Sequence, residues 1–202
     1  MNAPTNQSKT EFYAPRLEVR LEGKKFTQIA DVLSVKVTSD IANLTSFDIA
    51  VNTDVRTIEE REQGKKVSVR RLPYVDPGAL EDGLTFDVGK RIAISMGYGK
   101  RMVPMMTGFI TSMTPRFPES GPLSVSVAGQ DDMILLKGRK PGDGEKVRWA
   151  PDVYDWQIAQ DIAARNGLDV EVDQAGPQHD EVIQKKDQDD ATFLMERAKR
   201  ID

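Results

Sequence analysis

At 202 residues with a net charge of −4, the chain suits one domain, or one and a small second, and argues against a nucleic-acid binder that works through a general positive field. It holds no cysteine, which excludes disulfides and thiolate metal sites. No apolar run approaches the roughly 20 residues that span a bilayer, so no direct membrane insertion is expected. The polar start MNAPTNQSKTEF lacks a signal-peptide core, which implies folding in a cytoplasm and any later export by another route.

In chain order, residues 1–11 read as a flexible tail. Period-2 alternation then marks strands at Arg16–Leu21, Val32–Thr38 and Thr45–Val51, with Phe47, Ile49 and Val51 on one face. Residues 52–83 leave this pattern. Val55–Gln63 is charged and helix-prone, Lys65–Leu72 suits a short strand, and Pro73–Gly83 reads as a loop. The segment is read as an excursion that reaches a neighbour, with a solvated surface loop as the plainer alternative.

Three more strands follow with turns between them: Ile92–Met96, Val103–Met113 and Leu123–Ala128. Alternation bounded by Gly and Pro signals half-buried strands in an antiparallel meander. Six such strands suit a small barrel or sandwich over residues 12–140. Past Lys140-Pro141-Gly142-Asp143-Gly144 the period becomes helical. Asp152 is the expected N-cap of a helix with Val153, Trp156, Ala159 and Ala163 on one face, widened by Ile158 and Ile162. Asn166-Gly167 is its expected stop. Leu168–Val172 and Val182–Gln184 read as short strands, and Asp189 or Asp190 caps a last helix carrying Phe193, Leu194, Ala198 and Ile201. Residues 145–202 thus form a small α/β domain. The fold class is α+β: an antiparallel β-barrel with an inserted excursion, then this domain. A chain closing on an amphipathic helix suggests a piece of something longer.

No set of residues supplies nucleophile, base and oxyanion donor together, so no catalytic, cofactor or metal residue is assigned. Asp131 and Asp132 are adjacent on a strand and point to opposite faces, which favours a strand-end cap over a carboxylate dyad. His179, the single histidine, reads as a surface residue. Gly97-Tyr98-Gly99-Lys100 has the spacing of a hairpin turn rather than a phosphate loop. Pro141-Gly142-Asp143-Gly144 lacks the ligands of a calcium loop. Met102, Met105 and Met106 suit either core filling or an adaptable contact surface. Lys65, Lys66, Arg70 and Arg71 form a basic cluster that reads as a solvated face, or as one turned to an acidic partner or a DNA-conducting channel. Asn43-Leu44-Thr45 fits a glycosylation sequon that means little without secretion.

Four stretches carry a resemblance to a known family. They are Tyr13-Ala14-Pro15 with Ser46-Phe47-Asp48-Ile49; Phe86–Ile92 through Gly97-Tyr98; Thr107–Thr111 with Leu123–Asp131 and Leu135; and Trp156–Ala159 to Gly167-Leu168 with Gln184 and Asp190–Leu194. Their order over Phe12 to Arg200 resembles the hub proteins of contractile tails: phage late control D proteins, T4-type baseplate hubs, and the N-terminal region of VgrG and Pvc8 spike proteins. The resemblance implies a tail-tube-like barrel and a non-enzymatic structural subunit joining a hexameric tail tube to a trimeric spike. It implies self-association as a homotrimer and tail-tube, spike and baseplate wedge proteins as partners, with no cofactor and no specific nucleic acid. The expected location is a virion or extracellular contractile particle, assembled in the bacterial cytoplasm. The longer, more charged excursion and the missing second barrel depart from the pattern. Three other readings make distinct demands. A tube or tube-initiator subunit needs six copies per ring. A baseplate-associated cell-wall hydrolase needs converging carboxylates, such as Glu119 with Asp131 or Asp132. A ligand-binding barrel needs an apolar pocket and no self-association.

Overall fold

The computed structural model describes residues 15–27, 31–41, 43–62, 64–75, 84–99, 101–141 and 146–200. The expected tail at 1–11, most of the loop at 73–83, the turn at 142–144 and Ile201 lie outside them. The chain divides into two compact units, Met1–Val37 with Phe47–Gly129, and Thr38–Ser46 with Gln130–Asp202.

The first unit is built on a seven-stranded sheet. Its strands are β1 (Pro15–Leu21), β2 (Lys24–Lys25), β3 (Val32–Thr38), β4 (Ser46–Asn52), β7 (Arg91–Tyr98), β8 (Arg101–Arg116) and β9 (Ser124–Asp131), in the order β2-β1-β7-β8-β9-β4-β3. β1 runs antiparallel to β2 and β7, and β7 to β8. The Asp131 N–H donates to the Thr45 carbonyl at 2.9 Å and the Thr53 N–H to the Leu123 carbonyl at 3.0 Å. The start of β4 thus lies by the end of β9, so these two strands are antiparallel as well.

Because side chains alternate across a strand, every second residue reaches one face. Leu21, Ile49, Ile92, Ile94, Ile110 and Val127 are at most 1% exposed and join one core. Three loop rings complete it. Phe26 packs against Tyr74 and Phe86 with centroids 5.3 Å apart in each pair, and Tyr74 against Phe86 at 6.2 Å. Tyr74 is wholly buried, so the expected surface loop plants its first ring in the core.

Two expectations are corrected here. Within the stretch expected as helix, Arg56–Glu62 is strand: this β5 pairs antiparallel with β6 (Lys65–Arg71), setting Ile58 opposite Val69. Glu and Arg favour helices only weakly, and cross-strand partners override that preference. The barrel does not close among the described residues. The sheet order ends at β2 and β3 with no bond joining them. The two-residue β2 covers β1 only at Arg20 and Leu21, too short a strand to carry the ladder round to β3.

The second unit has its own core of Leu136, Val153, Ile158, Ile162, Val182, Ala191 and Phe193. A 3-10 helix, Asp132–Leu136, follows β9. β10 (Val147–Trp149) pairs with β13 (Val182–Gln184), and β11 (Val153–Tyr154) with β12 (Gln178–His179). The helices are α1 (Asp155–Arg165) and α2 (Asp190–Ala198). Helix α1 starts later than the expected Asp152 cap. Pairing with β12 keeps Val153 and Tyr154 extended, and the Tyr154 N–H is satisfied by Gln157 Oε1 at 2.9 Å. The buried stripe of α1 is Ile158, Ile162 and Ala163. Gly167, at φ 67°, ends it as expected. Leu168–Val172 forms no strand. Asp189 caps α2, accepting from the Thr192 N–H at 2.9 Å.

Candidate functional site

The first candidate is the open side of the sheet. A crevice of about 390 Å³ separates the β1 bank (Pro15, Leu17) from the β3 bank (Val32, Ser34, Val35), with Met96 of β7 also lining it. Above Arg20, β1 presents an edge that no described strand covers, and β3 does so on its outer side. Such edges carry unpaired N–H and C=O groups and pair readily with an added strand.

Near the crevice the β7–β8 ladder changes parity. Met96 faces Val103 and Ser95 faces Pro104, yet Ile94 faces Met106, so Met105 is an extra residue in a bulge. Of the three methionines singled out in the sequence, Met106 is core, Met102 is half-buried and Met105 is 45% exposed. Val103 and Tyr98 are also exposed. Tyr98 pairs with Arg101 and Gly99 has φ 56°, the expected hairpin turn; Lys100 lies outside the described residues. The basic cluster Lys65, Lys66, Arg70 and Arg71 lies along β6, where the Lys66 Nζ meets Glu59 Oε2 at 2.8 Å.

The second candidate is in the small unit. A pocket of about 480 Å³ is lined by Ile41, Leu44, Met133, Trp156, Leu194 and Arg197, among others. Beside it, Arg197 Nε donates to Asp155 Oδ1 at 2.6 Å. His179 Nε2 lies 2.8 Å from Asp155 Oδ2 and 2.7 Å from Arg197 Nη2. That nitrogen donates to the carboxylate when protonated and accepts from the guanidinium when not, so it serves one neighbour at a time. Burial pushes the Asp155 carboxyl up, but hydrogen bonds and charge from Arg197 and His179 outweigh it and hold the group below the usual range. His179 is thus a three-quarters buried member of an ionic cluster, rather than a free surface residue. Its lone position in the sequence gave no sign of this, because both partners are distant along the chain.

The carboxylates considered for hydrolysis have other positions. Asp131 Oδ1 accepts from the Met133 N–H at 3.1 Å and Oδ2 from the Thr45 N–H at 2.8 Å, the strand-end cap its place suggests. Asp132 opens the 3-10 helix, and Glu119 is exposed. In the Asn43-Leu44-Thr45 sequon, the Asn43 amide donates to Asp40 and Leu44 is buried. Among the described residues no group of His, Asp or Glu could hold a metal ion, and no helix is long and apolar enough to cross a membrane.

The chain is similar to two solved tail proteins. The 43 kDa tail protein of prophage MuSo2 from Shewanella oneidensis matches with a TM-score of 0.58 and 17% identity, over 93% of this chain and 48% of that one. The tail protein from Neisseria meningitidis MC58 matches with a TM-score of 0.44 and 17% identity, over 76% of this chain and 34% of that one. The first likeness establishes a shared fold, and the chain spans about half the length of that relative. No curated protein matches. The family model of the Alg8 N-terminal domain matches residues 75–201, more than half of the chain, and the protein belongs to that family.

Proposed function

We propose that this chain is a structural subunit of a phage tail or tail-like injection particle, in the hub position between tube and spike. The observation that carries this reading is the fold it shares with the Shewanella prophage tail protein over 93% of its length. The Alg8 N-terminal domain name is silent on tails, so the reading rests on the fold and on the hub-like order of motifs. In the hub role the sheet unit is a tube-type barrel, completed on assembly, that stacks under the hexameric tube. Homotrimers supply the three-fold face for the spike, and wedge proteins contact the outside. Closed rotational interfaces make such matching possible, with the six-fold match requiring a second barrel per subunit or a partner chain.

The role is non-enzymatic. Asp131, one of the carboxylates a hydrolase would draw on beside Glu119 and Asp132, spends both its oxygens on backbone N–H groups, which suits a cap. The alternative in the same class is a tube or tube-initiator subunit. Mass measurement of the assembled complex separates them: three copies support the hub, six per ring support the tube, and a stable monomer in the particle contradicts both.

A further inference from the structure

The two helices of the second unit carry more apolar surface than their own core uses. On α1 the buried stripe is Ile158, Ile162 and Ala163, and on α2 Ala191 and Phe193 are buried. Each helix turns a second apolar stripe to the pocket of about 480 Å³: Trp156 and Ala159 from α1, and Leu194, Met195 and Ala198 from α2. Every residue that lines this pocket belongs to the second unit. An apolar face wider than one contact covers is patterned for a second contact, and two such faces flanking one groove suit the apolar side of a further helix. Met133 and Met195 in the lining can repack around differing side chains. We infer that this pocket docks an amphipathic helix of a partner protein, one whose apolar face is flanked by lysine or arginine.

Charge selects that partner. Among the described lining residues four are carboxylates, Asp40, Asp131, Asp155 and Asp173, against one cation, Arg197. Arg197 is already matched by Asp155, which leaves the lining with a negative surplus. Asp131 accepts from neutral backbone N–H groups, which do not cancel its charge, and Asp173 is exposed. A basic helix meets opposite charge here and an acidic one meets like charge, and such complementarity decides between partners. A second copy of this chain, at net charge −4, is the poorer match.

The probe is a fluorescein-labelled peptide of leucine and lysine at helical spacing, titrated with the full chain and read by anisotropy; its counterpart carries glutamate for lysine. Ala198 and Asp173 are exposed, so Ala198→Trp fills the pocket and Asp173→Lys reverses a lining charge with the core intact, which circular dichroism checks. Glu119→Lys makes the same charge change on an exposed residue of the first unit. The lysine peptide binds the wild type at one per chain, and the glutamate peptide does not. Ala198→Trp weakens binding about tenfold and Asp173→Lys about fivefold, while Glu119→Lys leaves it unchanged. Equal binding of both peptides, binding of neither, a loss in Glu119→Lys as large as that in Asp173→Lys, or a folded Ala198→Trp that binds as the wild type does overturns the inference. So does wild-type self-association in sedimentation velocity that Ala198→Trp abolishes, since a second copy is then the occupant. Where Ala198→Trp disturbs the fold, Asp173→Lys against Glu119→Lys decides. Binding is read on the free chain, so its failure leaves the tail role standing.

Discussion

Gly129 lies against Phe47 so closely that a Cβ there would stand 2.4 Å from the ring's Cε1, and 2.1 Å from the Phe109 carbonyl oxygen. The backbone of β9 passes β8 and a core ring where only a hydrogen fits. Gly129→Ala must shift backbone, not merely a side-chain tip. It is expected to lower stability by about 3 kcal/mol, the upper range of overpacking costs. Urea denaturation followed by far-UV dichroism measures this, and an unchanged midpoint contradicts the packing described.

Asp190 is 1% exposed and holds the small unit together. It pairs with the Arg165 guanidinium and accepts from Asn166 Nδ2 at 2.8 Å and Gln184 Nε2 at 2.7 Å. Arg165 also donates to Gln184 Oε1 at 2.8 Å. Removing one charge strands the other, which costs about 3–5 kcal/mol. Asp190→Asn should therefore unfold the small unit at far lower denaturant. Both tryptophans, Trp149 and Trp156, belong to that unit, so their fluorescence reads it selectively.

That network also explains what the sequence could and could not disclose. Gln184 and Asp190 stood out by position, but their bonding to Arg165 depends on two helices and a strand meeting. The β-strands were legible because one buried face imposes alternation on Leu17 to Leu21 or Ser124 to Asp131. The Met105 bulge was not, since apolar residues stand on both sides of it. The ribbon misled because Glu and Arg carry helix propensity whether or not a partner strand is present. The Asp155–His179–Arg197 cluster joins residues 18 to 42 positions apart, beyond any local pattern.

Asp155 makes the small unit acid-sensitive. Its carboxyl is held below the usual range in the folded state. The stabilisation is therefore complete above the unfolded carboxylate value of about 4 and is lost as pH falls through the lower folded value. Tryptophan-monitored stability should drop in this acid window, and Asp155→Asn should flatten that part of the profile while lowering stability near neutrality. An identical acid limb in wild type and variant contradicts the assignment.

Asp131 bridges two backbone donors, and its loss should cost about 1–2 kcal/mol as a cap. Asp131→Ala is expected to lower the thermal midpoint while leaving purified peptidoglycan uncleaved by wild type and variant alike. Cleavage by the wild type that disappears in the variant would restore the hydrolase reading.

The proposed tail role requires this chain in assembled particles. Quantitative mass spectrometry of purified tail particles from the cell that makes it tests this most directly. The account predicts the chain at a fixed, low ratio to the tube protein in intact particles; its absence from them, with the protein abundant in the same cells, contradicts the account.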